Sequence, residues 1–342
     1  MRSLLLACLL AGAARPAAAS AKNAGGDTAQ FLTIGAGARA LGLGDAYGPV
    51  AEGPDAIYWN PAGLAGLPGP QASYSHVEYL RSFRHEHFAY AQRALGGGMG
   101  FAGTVWRAAE LDARTSANVH LGKFAPHSES FAVAYARSFW EHSDMPTRDR
   151  EFFLDKYDMP WTPRPIQEPD VSWEGSARFG LAVKAVRETI RERGASAVAV
   201  DLGGLYYPYA VEGLSASLTL RNLGSRPRFI REKGSLPTEA GVGLAYARRS
   251  DRRVFMPVLE LALPYYGDPF AKLGFELGTR LGEGSSAFLR GGYKTQSAPH
   301  LGPAAGATVG VGVQVRHLSL DLAFQPMGEL QDVLKLSLGY KF

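Results

Sequence analysis

The chain has 342 residues, of which 46% are hydrophobic, 11% are aromatic and 41 are glycine. Its formal net charge is +4, but lysine and arginine are scattered along the sequence rather than clustered, which argues against nucleic-acid binding. Cys8 is the only cysteine. It lies in a segment that we expect to be removed, so the exported chain has no disulfide and no cysteine-based metal site.

The first 21 residues are typical of a secretory signal peptide. Arg2 precedes an apolar run over residues 4–14, and small residues up to Ala21 offer a cleavage site. We expect the mature chain to begin at Ser20 or Lys22. The apolar run is too short to anchor the chain in a membrane as a helix.

Residues 22–70 are rich in glycine and do not alternate as strands do. Asn60 is predicted to cap a short helix whose first residue is Pro61. Gly35 and Gly37 match part of a dinucleotide-binding fingerprint, but that motif needs a strand before it and a helix after it within a βαβ unit. The chain downstream is all β, so we expect no cofactor, and the glycines are interpreted as places where the backbone bends.

From residue 71 onward, apolar and polar residues alternate with a period of two, which predicts strands between an apolar and a polar environment. The last strand illustrates the pattern. Its apolar face carries Leu334, Leu336, Leu338, Tyr340 and Phe342. Its other face carries Lys335, Ser337, Gly339 and Lys341.

A soluble β-sandwich also alternates, with its apolar face inside, but three features favour a transmembrane antiparallel β-barrel. The strands are about ten residues long, which suits a tilted span. Their polar faces carry glycine, serine and charge. The chain also ends on an aromatic residue of an alternating strand, as bacterial outer-membrane barrels do, and we interpret Tyr340 and Phe342 as the signal for the barrel-assembly machinery.

Fourteen strands are predicted, an even number that suits a closed antiparallel barrel with both ends in the periplasm. Their expected first residues are Gln71, Glu86, Gly98, Ser130, Ser176, Ser196, Leu214, Thr238, Val254, Ala271, Ser286, Ala304, His317 and Asp332. The barrel would span residues 71–342. Residues 141–172 are acidic and proline-rich and fall on the periplasmic side, so they are either a missed hairpin or a real insertion.

Residues 31–67 read FLTIGAGARALGLGDAYGPVAEGPDAIYWNPAGLAGL. This stretch resembles the N-terminal signature of the PorV/PorQ family, outer-membrane proteins related to the FadL-type transporters of long-chain fatty acids. The resemblance continues at residues 220–224, 289–295 and 318–342, and it therefore covers almost the whole mature chain. The acidic insertion departs from it.

In the wider superfamily, the region before the first strand folds into the lumen as a hatch. The resemblance therefore implies that residues 22–70 are a hatch or plug, with Tyr58 and Trp59 wedged against the barrel wall and Asn60-Pro61 fixing a turn. The residues that match the hatch motif are Gly42, Gly44, Asp45, Asp55, Tyr58, Trp59, Asn60, Pro61 and Ala62.

The sequence predicts no enzyme and no metal site. His85 and His87 share a strand face but lack a third ligand nearby, so they are interpreted as solvated histidines beside an outer loop. Charged residues on inward faces are expected to neutralise one another in the lumen. These are Arg178, Lys184, Lys272, Glu276, Arg290, Asp321 and Lys335.

Two functions remain for a protein that we expect in the bacterial outer membrane, in contact with its lipid. The nearer resemblance, to PorV, implies a component of type IX secretion that works with the secretion machinery and holds exported cargo proteins. The wider resemblance, to FadL, implies a channel for hydrophobic small molecules. Because the PorV/PorQ resemblance is the nearer one, the secretion role is the predicted function and the channel is the alternative.

Overall fold

The computed structural model describes residues 27–79, 83–139, 175–191, 193–229, 232–297, 302–328 and 332–342. The predicted signal peptide and the insertion at 141–172 lie outside these ranges. One sheet contains fourteen barrel strands, which we number in chain order. They are β1 Gln71–Tyr79, β2 Phe83–Ala94, β3 Gly97–Arg107, β4 His127–Phe139, β5 Gly175–Ile190, β6 Arg193–Pro208, β7 Leu214–Gly224, β8 Glu239–Tyr246, β9 Arg253–Pro264, β10 Phe270–Gly282, β11 Ser285–Lys294, β12 Ala307–Val315, β13 Leu318–Gln325 and β14 Val333–Lys341. The sheet also contains a two-residue strand, Arg248–Arg249, that pairs with β9.

The sheet closes into a barrel. Each strand pairs antiparallel with the next along the chain. The last strand pairs with the first, with Gln71 opposite Lys341 and Glu78 opposite Leu334. Closure leaves no free sheet edge. The predictions of an antiparallel barrel and of fourteen strands are confirmed, and the soluble sandwich is excluded.

Side chains alternate between the outside and the inside of the wall. On β14, Leu334 is 58% exposed and Leu338 is 46% exposed, whereas Lys335 between them is 3% exposed. The outer surface therefore carries leucine, valine and phenylalanine, and the inner surface carries charges and small residues. This is the reverse of a soluble barrel, and it is the arrangement that a lipid-facing wall requires.

The two ends of the barrel differ. At the end that we name the turn end, β2–β3, β10–β11 and β12–β13 are joined by two residues each, and Phe342 lies there. At the opposite end, the loop end, the β3–β4 and β7–β8 connections contain two small hairpins. These are Leu111–Arg114 with His120–Phe124, and Arg228–Phe229 with Glu232–Lys233.

In the described ranges the helices are short and, apart from the 3-10 helix Pro303–Gly306, precede β1. They are the 3-10 helices Gln30–Thr33, Gly48–Val50 and Pro61–Gly66 and the α-helices Ala38–Gly42 and Ala56–Trp59. Among the described residues, no helix is long and apolar enough to cross a membrane.

A charge on the outer face should destabilise the barrel more than the same charge on the inner face. Leu320 is 44% exposed on the outside of β13, so Leu320→Arg should cost about 2–4 kcal/mol in lipid vesicles. Ser319→Arg places the same side chain on the lumen face and should cost less. The free energy of unfolding from denaturant titrations in vesicles measures both, and equal losses would contradict the assigned faces.

Candidate functional site: the filled lumen

The N-terminal segment, residues 27–70, runs through the lumen from the loop end to the turn end. Asp27 forms a parallel β-bridge with Ser235, in the connection between β7 and β8. At the other end, the backbone N–H of Phe342 donates to the carbonyl of Pro70 over 3.0 Å. The segment therefore occupies space that would otherwise be an open channel.

One side of the segment packs against a wall of small residues. The 3-10 helix Pro61–Gly66 contacts β3, β4, β5 and β6, and the inner faces of these strands are rich in alanine and glycine. A Cβ atom on Gly180 or Gly203 would overlap residues 60–62. The apolar residues of the segment, including Leu43, Ile57 and Leu64, are buried in the resulting cluster.

The Asn60 side chain forms hydrogen bonds both within the segment and to the wall. Its side-chain oxygen accepts from the backbone N–H of Ala62 over 3.2 Å, so it caps the helix that begins at Pro61. Its amide nitrogen donates to the carbonyls of Gly48 and Gly204, each over 3.1 Å. The predicted cap is therefore present, and the same side chain also bridges the segment and β6.

Tyr58 and Trp59 lie in the middle of the lumen. The Tyr58 hydroxyl donates to the carbonyl of Leu32 and the Trp59 indole N–H donates to the carbonyl of Ala36, both over 2.8 Å. These bonds fold the segment back on itself. The Arg221 guanidinium of β7 lies over both rings, 5.5 Å from the centroid of Tyr58 and 5.1 Å from that of Trp59, which adds a cation–π contact from the wall.

Two glycines of the segment meet the wall backbone directly. Gly42 packs beside Gly310 of β12. Gly44 has a positive φ of 65°, and a Cβ atom there would lie 2.7 Å from both the carbonyl oxygen of Leu273 and the backbone nitrogen of Tyr293. Only glycine combines this backbone conformation with this separation.

The opposite side of the segment is held by ionic contacts. Arg39 donates to both carboxylate oxygens of Glu276, over 2.8 and 3.0 Å, and it also pairs with Glu52. Glu276 accepts a further bond of 2.6 Å from Arg290, which in turn pairs with Asp321 at 2.6 Å. Arg39 therefore completes a row of alternating charges that crosses β10, β11 and β13.

The expected neutralisation of inward charges occurs in part. Besides the row above, Lys272 pairs with Glu260 at 2.8 Å and Lys184 pairs with Asp201 at 2.7 Å. Lys335 and Arg178 have other partners. Lys335 donates to the carbonyl of Gly35, and the guanidinium of Arg178 lies 4.8 Å from the ring centroid of Tyr207.

Asp45 and Asp55 anchor the segment at two further points. Asp45 pairs with Lys294 of β11 at 2.5 Å. Burial alone would raise the pKa of Asp45, but Lys294 and Lys335 outweigh burial and lower that pKa from 3.8 to about 2. Asp55 accepts a 2.6 Å bond from the hydroxyl of Ser73. Burial raises the pKa of Asp55 despite that bond.

The interpretation of His85 and His87 as solvated residues is wrong. They are 1% and 2% exposed and face the lumen, because inward residues of β2 are covered by the segment. Nδ1 of His87 lies 2.9 Å from the hydroxyl of Thr104. Within the described ranges, no group of three His, Cys, Asp or Glu side chains is placed to hold a metal ion.

A cavity of about 330 Å³ remains at the loop end, between the segment and the wall. Its apolar lining includes Leu32, Ile34, Leu41, Val77, Phe270 and Met327. Its charged lining consists of Asp27, Asp45, Arg221, Glu239, Lys272, Lys294 and Lys335. The volume is in the range of small-molecule sites, and the lining offers both an apolar surface and polar groups.

The last residues of the chain lie outside the lumen. Tyr340 and Phe342 are 41% and 56% exposed on the outer face. Their ring centroids are 4.8 Å apart, and Tyr90 of β2 lies 6.2 Å from Phe342. The three rings form an aromatic patch at the turn end of the seam between the first and last strands. The assembly role of Tyr340 and Phe342 stays a prediction.

Sequence reasoning missed several residues of the site. Arg39, Glu260, Lys294 and Asp201 were not singled out, although each forms an ionic contact inside the barrel. Arg39 had a usable signal, since it is the only charge within the small-residue run 34–44. Glu260 and Asp201 meet Lys272 and Lys184 only through the register of the strands. Lys294 meets Asp45 only through the path of the segment.

No protein-family profile matches the chain, and no curated protein matches its sequence. Solved structures do match its fold. The toluene transporter TodX of Pseudomonas putida has a TM-score of 0.56 at 10% identity, over 90% of this chain and 97% of that chain. The toluene transporter TbuX of Ralstonia pickettii has a TM-score of 0.53 at 11% identity, over 91% of this chain and 100% of that chain.

The CymD monoaromatic hydrocarbon channel has a TM-score of 0.51 at 9% identity, over 90% of this chain and 98% of that chain. The chain therefore shares the barrel fold of these two transporters and this channel. Membership of the PorV/PorQ family stays a prediction.

Gly44→Ala should loosen the segment. The new methyl group meets wall backbone at 2.7 Å and the residue must keep a positive φ, so we expect a loss of more than about 2 kcal/mol. Gly69→Ala is the matched control, because a Cβ atom there meets nothing within 4 Å, and it should change stability by less than about 0.5 kcal/mol. The free energy of unfolding in detergent micelles measures both effects. Similar losses in the two variants would contradict the close packing of Gly44 against the wall backbone.

The pair formed by Asp45 should give the barrel a pH dependence. Because the pKa of Asp45 is lowered from 3.8 to about 2, its stabilisation is complete above pH 4 and is lost as the pH falls towards 2. Asp45→Asn leaves Lys294 unpaired, so it should cost about 3 kcal/mol at pH 7.

The difference in unfolding free energy between wild type and Asp45→Asn should therefore shrink between pH 4 and pH 2. Glu52→Gln removes the same charge from a side chain that is 63% exposed and serves as the control. A difference that stays constant across this interval would contradict the role of the Asp45 carboxylate.

Proposed function

We propose that the protein is a non-enzymatic channel for small hydrophobic molecules in the bacterial outer membrane. The observation that carries the proposal is the cavity of about 330 Å³ beside the N-terminal segment, inside a barrel with the fold of TodX and TbuX. A solute of modest size fits there, and it leaves towards the turn end only when the segment moves.

The apolar outer wall supports an outer-membrane location for this channel. Exposed leucine, valine and phenylalanine ring the barrel on the face that would contact lipid. On this proposal, the turn end faces the periplasm, and Phe342 serves the barrel-assembly machinery during insertion.

The two sides of the segment make different contacts, and this difference supports the proposal that the segment can move. One side packs on alanine and glycine, whereas the other is held by Arg39, Asp45 and Lys335. Ionic contacts can exchange partners within the lumen without exposing apolar surface. We infer that the ionic side, which adjoins the cavity, is the side on which a passage opens.

Uptake of labelled toluene tests the proposal. Cells with an intact outer membrane that express the chain should take up toluene faster than cells carrying an empty vector. A labelled disaccharide serves as the polar control and should show no difference. Equal toluene uptake with and without the chain would overturn the proposal.

A reversible crosslink tests whether the segment must move. The backbone N–H of Ala38 donates to the hydroxyl of Ser337 over 2.6 Å, so Ala38→Cys with Ser337→Cys should join segment and wall. The crosslinked protein should lose toluene uptake and regain it on reduction.

The control crosslink leaves the segment free. Ser75→Cys with Ser337→Cys joins β1 to β14, whose residues 75 and 337 are directly paired, and uptake should persist. Uptake that continues in the oxidised Ala38 and Ser337 variant would show that the segment stays in place during transport.

The secretion role predicted from the PorV resemblance stays a prediction. It rests on the motifs at residues 31–67 and 318–342 rather than on a contact within the barrel. Deletion of the chain from its host would test it, because failure to retain exported cargo at the outer membrane, with normal toluene uptake, would favour secretion over transport.

A further inference from the structure

A cluster of arginines lies at the turn end of the wall, in the hairpin between β8 and β9. Residues 248–253 read RRSDRR, and they carry four positive charges and one negative charge. We name residues 248–253 the arginine turn. Arg248, Arg252 and Arg253 are exposed.

The arginine turn has a fixed backbone. The N–H of Ser250 donates to the carbonyl of Arg253 over 2.9 Å, and the N–H of Arg253 donates back over 3.3 Å. The carbonyl of Arg252 also accepts from the N–H of Arg280 over 2.9 Å. The three exposed arginines are therefore displayed from a rigid frame, which reduces the entropy lost on binding.

Two of these arginines point to the lipid-facing side. Arg248 is directly opposite Phe255, which is 45% exposed on the outer face. Arg253 is directly opposite Thr279, in the same outward row as Leu277 and Leu281. Leu281 is 66% exposed. The positive charges therefore stand at the rim of an apolar surface rather than on a separate domain.

These three side chains form no ion pair with any residue that the structure describes. Arg249, in contrast, is only partly exposed and has partners of its own. The turn therefore displays three exposed cations and one exposed carboxylate, Asp251, within six residues, and this excess of positive charge favours an anion. The turn thus offers donors for an anionic group and, directly beside them, a surface for an apolar group.

We propose that the arginine turn binds the phosphate of an anionic phospholipid whose acyl chains lie against the outer wall at Phe255, Leu277 and Leu281. A lipid fits better than an acidic protein, because the arginines lie directly beside the apolar outer surface of the wall. Arginine matches phosphate geometry through paired N–H donors. Basic clusters at membrane rims attract anionic lipids in this way.

Native mass spectrometry of the folded full chain in neutral detergent tests the proposal. Phosphatidylglycerol and phosphatidylcholine with identical acyl chains are the two probes. Wild type should bind phosphatidylglycerol at least tenfold more tightly, since each arginine contributes about fivefold. Equal affinity for the two lipids would overturn the proposal.

Two triple variants locate the site. Arg248→Gln, Arg252→Gln and Arg253→Gln together should abolish the preference for phosphatidylglycerol. The control changes Arg84, Arg107 and Arg187 to Gln, three exposed arginines near the loop end, and it should keep the preference. Loss of the preference in the control alone, or in both variants equally, would place the lipid elsewhere.

Two measurements on wild type make the test independent of variant folding. The preference for phosphatidylglycerol should fall as the sodium chloride concentration rises, because the contact is ionic. A preference that does not change with salt would contradict the proposal. Inorganic phosphate at equal concentration should displace little lipid, since it lacks acyl chains. Complete displacement would mean that the turn is a simple anion site.

Discussion

Some charges on the inner wall pair with one another, and others take a partner from the N-terminal segment. Arg39 supplies a cation to Glu276, and Asp45 supplies an anion to Lys294. Unpaired charges buried at such positions cost several kcal/mol each, so an empty barrel of this sequence would have to admit water to the same groups. The ionic side of the lumen is thus built for an occupant, and the alanine-rich side offers that occupant a close fit.

Most of the wall could be predicted from the sequence. The period-two pattern needs only an apolar environment on one side and a polar one on the other, and each of the fourteen predicted strand starts lies within three residues of the observed start. The cap at Asn60 and the inward position of Lys272, Glu276 and Arg290 were also predictable, because they depend on local sequence.

The partners within the lumen were not predictable in the same way. Lys184 lies 17 residues before Asp201 in the chain, and the two meet only because β5 and β6 pair with Ala182 opposite Asp201. His85 and His87 are buried by residues far away in sequence, so a strand pattern beside a loop suggested solvation instead. The fold class follows from local alternation, whereas the chemistry of the lumen follows from register and from the path of the segment.

The path of the segment also constrains how the molecule is built. Residue 27 lies against the loop end, whereas residue 70 meets the last residue of the chain at the turn end. Between them the backbone passes the wall glycines closely, and Gly44 touches the backbone of β10 and β11. Some forty residues would be difficult to draw through a barrel that had already closed. We therefore expect residues 27–70 to be in place before the seam between β1 and β14 is sealed, so that the strands assemble around them.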